Sequence, residues 1–389
     1  VTIIAENGFA NNDSLIVVDI ASNVKVSETD AFYGCFHIEK VNISDVGKWC
    51  NISFADDCAN PTCYPHKLYL NNELITDLVI PNGVTSIKSY AFYFCKDIVS
   101  VSIPNGVQTI GYSAFSSCEK LKSVVIPDSV TFIDQFAFST CEALESVTLS
   151  ENINAIKYST FASCSSLKSI HIPNNVTTIE NDAFYSCSAL TKVNIPSSVT
   201  TLGYGCFRKC GSLTNIFIPN SVNKVNENAF VYDYNLTIYC EASSKPGGWN
   251  ENWNPSDRPV IWGHKPLNQT FTYLIDDEGD TRGIIITGLV DNTLTSVSVP
   301  SYGFADGEYL PVTRIGSGAF FECSNLESIT IPDSVTSIGV GAFFYCSSLT
   351  SIHIPSSVTS IEGNLFSECS ALTSITVSED NLYYDSRNN

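Results

Sequence analysis

Methionine is absent from this 389-residue chain, and only 15% of its residues are charged. Lysine and arginine number 20 against 40 aspartates and glutamates, a formal net charge of −20. A surface so short of cations repels a phosphate backbone, and no local basic stripe offsets it, so nucleic acid is not expected as a partner. No run approaches the ~18 consecutive apolar residues of a membrane-spanning helix. The chain opens on Val1 without an initiator and reads as a mature or excised piece, with any signal peptide or anchor outside it. Catalytic signatures are missing too: there is no G-x-S-x-G elbow, no H-E-x-x-H helix and no phosphate-binding glycine loop. His37, His66, His171, His264 and His353 are scattered, with no motif around any of them. Neither catalysis nor a cofactor or metal is expected.

Apolar residues, by contrast, make up 44% of the chain, which excludes general disorder. The 15 cysteines reveal the organisation. Cys95, Cys118, Cys141, Cys164, Cys187 and Cys210 follow one another at intervals of 23, and Cys323, Cys346 and Cys369 repeat that interval. A whole unit recurs around each of them. Residues 121–141 read LKSVVIPDSVTFIDQFAFSTC, 167–187 read LKSIHIPNNVTTIENDAFYSC, and 326–346 read LESITIPDSVTSIGVGAFFYC. The pattern is L-x-x-[VI]-x-[IL]-P-x-x-V-x-x-I-x-x-x-A-F-x-x-C.

Each part has a physical reading. Leu167, Ile170 and Ile172 point one way and Ser169 and His171 the other, as in a short strand with one buried face. Pro173 ends that strand, since proline has no N–H for a ladder. Val176 and Ile179 return to the interior on the opposite wall, and Ala183-Phe184 closes the coil. A single coil cannot bury enough apolar surface to offset its ordering entropy, so stability must come from stacking.

These residues resemble the BspA-like, or treponemal-type, leucine-rich-repeat family, closely over 75–240 and 294–377. The expected fold is a β-rich leucine-rich-repeat solenoid, a curved array of 23-residue coils with a short parallel concave sheet. The resemblance implies an extracellular or cell-surface protein of a host-associated bacterium or a protozoan parasite. It implies adhesion or protein–protein recognition through the concave sheet, with no catalytic residues. The partner implied is a protein on a host or neighbouring cell; glycan enters as a further class only through the tryptophans of the linker. A structural spacer within a longer surface protein is the competing reading, drawn from ends that look incomplete.

Three segments are expected: a first array over 1–240 with an insertion near 44–72, a Trp/Pro/Gly linker over 241–267, and a hairpin cap with a second array over 268–389. Within the last, 301–311 reads as an elongated turn, and SEDNLYYDSRNN stops without an obvious cap.

Candidate contact residues follow from the outward strand positions: Ser146, Thr148, Ser169, His171, Lys192, Asn194, Asn215 and Phe217, with Ser351 and His353 in the second array. Rows of Ser and Thr also describe an ordinary solvated strand face. Phe217 stands out as an exposed aromatic, the residue class favoured as an interface anchor. Trp249, Trp253 and Trp262 could form a sugar-stacking platform, or could pin a loop to its scaffold. Asp276, Asp277, Glu278 and Asp280 lack the spacing of a calcium loop and read as a solvated hairpin tip. The cysteine column reads as buried free thiols in a core slot. Cys58 and Cys63 lie outside the column and could be bridged or free.

Overall fold

Within each coil three short walls surround one interior. In the coil over 121–141, Leu121, Val124 and Ile126 come from the first wall and Val130 and Ile133 from the second. Ala137, Phe138 and Cys141 come from the third, and all are at most 4% exposed. The structure, a computed structural model, describes residues 1–64, 66–263, 267, 270–277, 282–305 and 308–385. It contains two compact units, Val1–Gly263 and His264–Asn389. Residues 241–263 therefore go with the first unit, where the sequence suggests a linker.

The first wall of the first unit carries parallel strands in register. Six of them, from Asp77–Val79 to Lys192–Asn194, form one hydrogen-bonded sheet. Val147 stands opposite Ile170, and Ile170 opposite Val193, so every coil repeats the same inward residue. Val17–Ile20, Lys40–Ile43 and Lys67–Leu70 form a preceding parallel set, and Asn215–Ile218, Thr237–Cys240 and Val260–Ile261 a following one. The second wall is built of two-residue strands such as Thr109–Ile110 and Phe132–Ile133.

The third wall has a ladder of a different kind. Ser113, Phe115 and Ser117 donate main-chain N–H groups to Gln135, Ala137 and Ser139 of the next coil at 3.0, 2.8 and 2.8 Å. Ala114, Ser116 and Cys118 instead bond within their own coil, at 3.2, 3.2 and 3.3 Å. This alternation needs two left-handed residues per coil, one two residues before the Phe of the file and one before the Cys: Ser113 and Ser117, Phe136 and Thr140, Ser159 and Ser163. Such a conformation costs a non-glycine residue about 1–2 kcal/mol, and the inter-coil hydrogen bonds hold it.

Along the interior the Phe rings form a continuous file. Phe92, Phe115, Phe138, Phe161, Phe184, Phe207 and Phe230 stack at centroid separations of 5.3, 5.3, 5.7, 5.7, 5.4 and 5.9 Å, all within 12° of parallel. Each column cysteine also spans two coils. The thiols of Cys118, Cys141, Cys164, Cys187 and Cys210 donate to the carbonyl of the Phe 26 residues earlier, at 3.2–3.3 Å. All 15 cysteines are free.

The stretch near 44–72 is a coil of the array. Ser53–Phe54 extends the second wall and Lys67–Leu70 the first, while a short helix, Val46–Cys50, replaces the usual turn. An earlier coil precedes Ala31-Phe32: Ile3–Ile4 pairs with Val26–Ser27, and Phe9 stacks on Phe32 at 5.2 Å. Gly8 holds the slot that Ala fills elsewhere, which conceals that coil from the pattern.

The second unit begins with an antiparallel hairpin, Phe271–Asp276 and Gly283–Leu289. Its second strand pairs in parallel with Glu308–Ile315, which starts the second wall continued by Ser337–Ile338 and Ser360–Ile361. Most of the expected turn over 301–311 is itself a hairpin, because Tyr302–Ala305 runs antiparallel to Glu308–Ile315. The first wall runs through Ser296–Ser298, Ser328–Thr330, Ser351–Ile354 and Ser374–Val377. At its last coil, Asn381 donates to the carbonyls of Pro355 and Val358 at 2.9 and 3.1 Å, and the Tyr384 hydroxyl accepts from Ile361 N–H at 2.8 Å. These two side chains tie the last coil to the one before it, while Phe366, Cys369, Leu372, Ile375 and Val377 remain only half-buried.

Candidate functional site

Parallel register turns the first wall of the first unit into a regular outer surface. Alternation sends Val147, Ile170 and Val193 inward and their neighbours outward. Ser146, Thr148, Ser169 and His171 are exposed, and Lys192, Asn194 and Asn215 are half-buried. These residues share two rows. Asp77, Ser100, Ser123, Ser146, Ser169 and Lys192 occupy one, and Val79, Ser102, Val125, Thr148, His171 and Asn194 the other. His171 Nε2 lies 3.9 Å from Glu151 Oε1 at the edge of the surface.

Phe217 departs from expectation. Its strand Asn215–Ile218 buries three consecutive residues, and Phe217 is only 5% exposed. Alternation alone places it outward, but it is buried, in register with Tyr239 of the next strand. It is therefore not an exposed anchor. Sequence reasoning gave no weight to two apolar residues on the same surface, Val79 and Val125, which are 64% and 63% exposed. The signal was a β-branched apolar residue in a row otherwise filled by Ser, Thr, His and Asn. Ser351 and His353 are exposed on the equivalent wall of the second unit, where His353 Nδ1 is 3.0 Å from Thr376 Oγ1.

Trp249, Trp253 and Trp262 do come together, but as a cover for the first unit's end. Trp249 and Trp253 are 3% and 5% exposed, and their rings meet at 4.7 Å. Trp253 meets Phe230, the last ring of the file, edge-on at 6.1 Å, and Trp249 donates to the carbonyl of Val222 at 2.9 Å. Trp262 is half-buried and packs on both at 5.7 and 6.3 Å. With two of the three rings buried, no flat platform faces solvent.

The thiols are placed for packing. Burial pushes the Cys118, Cys141, Cys187 and Cys210 thiols well above their ordinary range, and those of Cys95 and Cys164 to about 12. Cys58 and Cys63 are unbridged and hydrogen-bond to each other, and burial raises both. Of the acidic run, Asp277 pairs with Arg282 at 2.6 Å and Asp276 with Arg314 at 3.4 Å. Glu278 and Asp280 lie outside the described residues, as does His264. Among the described residues, no three His, Cys, Asp or Glu side chains form a group that could hold a metal ion. No helix among them is long and apolar enough to cross a membrane.

A family model described as a BspA type leucine rich repeat region matches in six copies, over residues 1–60, 65–188, 154–242 and 309–387. Among solved structures, a leucine-rich repeat protein from Bacteroides ovatus is 24% identical, aligned over 94% of this chain and 82% of its own, with a TM-score of 0.47. A leucine rich repeat protein from T. pallidum is 33% identical over 36% of this chain and 68% of its own, with a TM-score of 0.35. A leucine rich cell surface protein from Faecalibacterium prausnitzii is 24% identical over 93% of this chain and 87% of its own, with a TM-score of 0.33. No curated protein sequence matches the chain.

Proposed function

The chain belongs to the BspA-type leucine-rich repeat family, and from that premise we propose that it is a non-catalytic module that binds a protein at a cell surface through the outer face of its first wall. The observation that carries this reading is the pair Val79 and Val125, each more than 60% exposed, set in a hydroxyl-rich row of six in-register strands. Apolar side chains held in water by a rigid sheet gain free energy when a partner covers them. Ser102 between them and Thr148 beside Val125 offer hydrogen bonds at the same level. Lys192 and His171 bring basic side chains to one end of the surface.

Solenoid stacking makes the surface suitable for a protein. Its strands repeat at the spacing of a β-ladder, roughly 4.8 Å, so six of them span on the order of 24 Å. Because the four inner strands are fixed by neighbours on both sides and the two end strands on one, little ordering cost remains on binding.

The test is an extracellular-matrix and cell-surface protein array probed with the full chain and with a Val79→Asp/Val125→Asp double variant. The expected result is at least one protein bound by the parent chain and released by the variant, with unchanged melting of both. Binding that survives the double variant, or no protein bound at all, overturns the reading.

A further inference from the structure

The second wall is interrupted where Ser53–Phe54 fails to pair with Ser86–Ile87. Across that interruption runs a groove of about 320 Å³, within the ~300–1,000 Å³ usual for small-ligand sites. Ser53, Phe54, Ser86, Lys88, Thr109, Gly111 and Phe132 are among the residues that line it. We propose that this groove binds a uronic-acid residue of an acidic oligosaccharide, with the carboxylate at Lys88 and the pyranose ring against Phe132.

The chemistry follows from the column that Lys88 occupies. Lys88, Gly111, Asp134, Lys157 and Glu180 hold equivalent places in successive coils. Lys157 is neutralised by Glu180 at 3.0 Å. Lys88 has glycine in the next coil, and among the described residues no carboxylate forms an ion pair with it. Position 111 accepts nothing larger: a Cβ there would lie 2.5 Å from Ser89 N and 2.8 Å from Lys88 C. Glycine at 111 thus puts no side chain over Lys88, whose ammonium, among the described residues, has no carboxylate paired with it in a chain of net charge −20.

Hydrogen-bond directions inside the groove favour a polyhydroxylated ligand. Lys88 Nζ donates to Ser53 Oγ at 2.8 Å, and Thr109 Oγ1 donates to Ser86 Oγ at 2.7 Å. Lys88 keeps two further donors, and the hydroxyl hydrogens of Ser53 and Ser86 are left to donate to ligand oxygens. Phe132 is 40% exposed, with Lys157 Nζ 5.9 Å from its ring centre, and with Phe54 it gives the groove an apolar side beside the hydroxyls of Ser53, Ser86 and Thr109. A pyranose matches both demands, with a C–H face for the ring and hydroxyls for the polar side chains. Beyond the groove, the neighbouring positions Tyr90, Tyr112, Phe136 and Tyr158 form a half-buried aromatic row at spacings of 5.4, 5.4 and 4.9 Å. A longer chain of sugars leaving the groove would meet that row.

Titration calorimetry of the full chain with trigalacturonate, a hyaluronan tetrasaccharide and neutral galactotriose tests the assignment. At least one acidic probe should bind, and galactotriose at least about tenfold more weakly, a difference of ~1.4 kcal/mol. Lys88→Gln and Phe132→Thr should each weaken acidic-probe binding by at least about tenfold. Thr already fills the slot of Phe132 at positions 109, 178 and 201, so that variant keeps the fold, with thermal melting as its control. The Val79→Asp/Val125→Asp variant, on a different wall, should bind the acidic probe normally, which separates this site from the first-wall surface. The proposal is overturned by no binding of either acidic probe, by equal binding of galactotriose, or by affinity that survives both groove substitutions.

Discussion

Trp49 donates its indole N–H to the main-chain carbonyl of Ala91 across 2.6 Å. In an ordinary coil that carbonyl accepts from a Phe amide of the coil before, as Ala114 does from Phe92 at 2.8 Å. The coil over 44–72 has no A-F-x-x-C turn, so side chains supply its donors. Asn60 Nδ2 reaches the Tyr90 carbonyl at 2.6 Å and Thr62 Oγ1 the Tyr93 carbonyl at 2.7 Å. Trp49 and Thr62 thus stand in for two inter-coil amides, Asn60 adds a bond to a third carbonyl, and the stack continues across an irregular coil.

Replacing Trp49 with Phe should therefore cost more than its lost area. The Ala91 carbonyl keeps only a long contact to Asn60 at 3.5 Å. Leaving a buried acceptor poorly satisfied costs about 1–3 kcal/mol. Urea denaturation should show this loss, and Thr62→Val should show a similar loss at Tyr93. A change under about 0.5 kcal/mol in both would mean water serves these carbonyls equally well.

Interior and terminal phenylalanines should differ in a graded way. Phe161 is 0% exposed and stacked on both sides at 5.7 Å, whereas Phe366 is half-buried and stacks on Phe343 alone. Phe161→Ala should destabilise the first unit by about 3–5 kcal/mol, and Phe366→Ala the second by clearly less. Hydrogen exchange should show the Phe161 loss spreading to adjacent coils, since each coil is covered only by its neighbours.

Asp233 fills the slot of the column cysteine after Ala229-Phe230 and is 0% exposed. Burial pushes its carboxyl up to about 8, against opposing effects of the backbone near Cys210 and of Arg258. Unfolded, it titrates near 3.8. The folded state thus holds a proton that the unfolded state has released, and stability falls as pH rises between those values. The contribution is complete below about pH 4 and gone once pH passes about 8. Thermal melts from pH 4 to 9 should show this slope, and Asp233→Cys or Asp233→Asn should flatten it. An unchanged slope in both variants would remove Asp233 as its source.

Thiol reactivity should separate by burial. Cys58 and Cys369 are partly exposed, while Cys118, Cys141, Cys164, Cys187 and Cys210 are buried with thiols held protonated. Alkylation of the native protein followed by mass spectrometry should label the first two and spare the five until unfolding. Labelling of Cys164 in the native state would show that the array opens locally.

Legibility tracked how far each feature depends on one coil. The Phe file and the thiol column were readable because every coil repeats the same side chain at the same place. The left-handed residues were not: Phe136 at φ +57° and Tyr90 at φ +61° are not residues that turn chemistry would nominate. Only the amides of the adjacent coil keep them there. The same holds for Phe217, which alternation places outward but which is only 5% exposed in a strand paired with the one carrying Tyr239.

By itself the sequence determined that 23-residue units stack and which side chains they bury, because that information is a period and needs no neighbour to decode it. Tertiary structure alone decided where the walls break, which outward residues stay in water, and that the tryptophans close an end. Those outcomes depend on contacts between segments far apart in the chain, and such contacts leave no period to read.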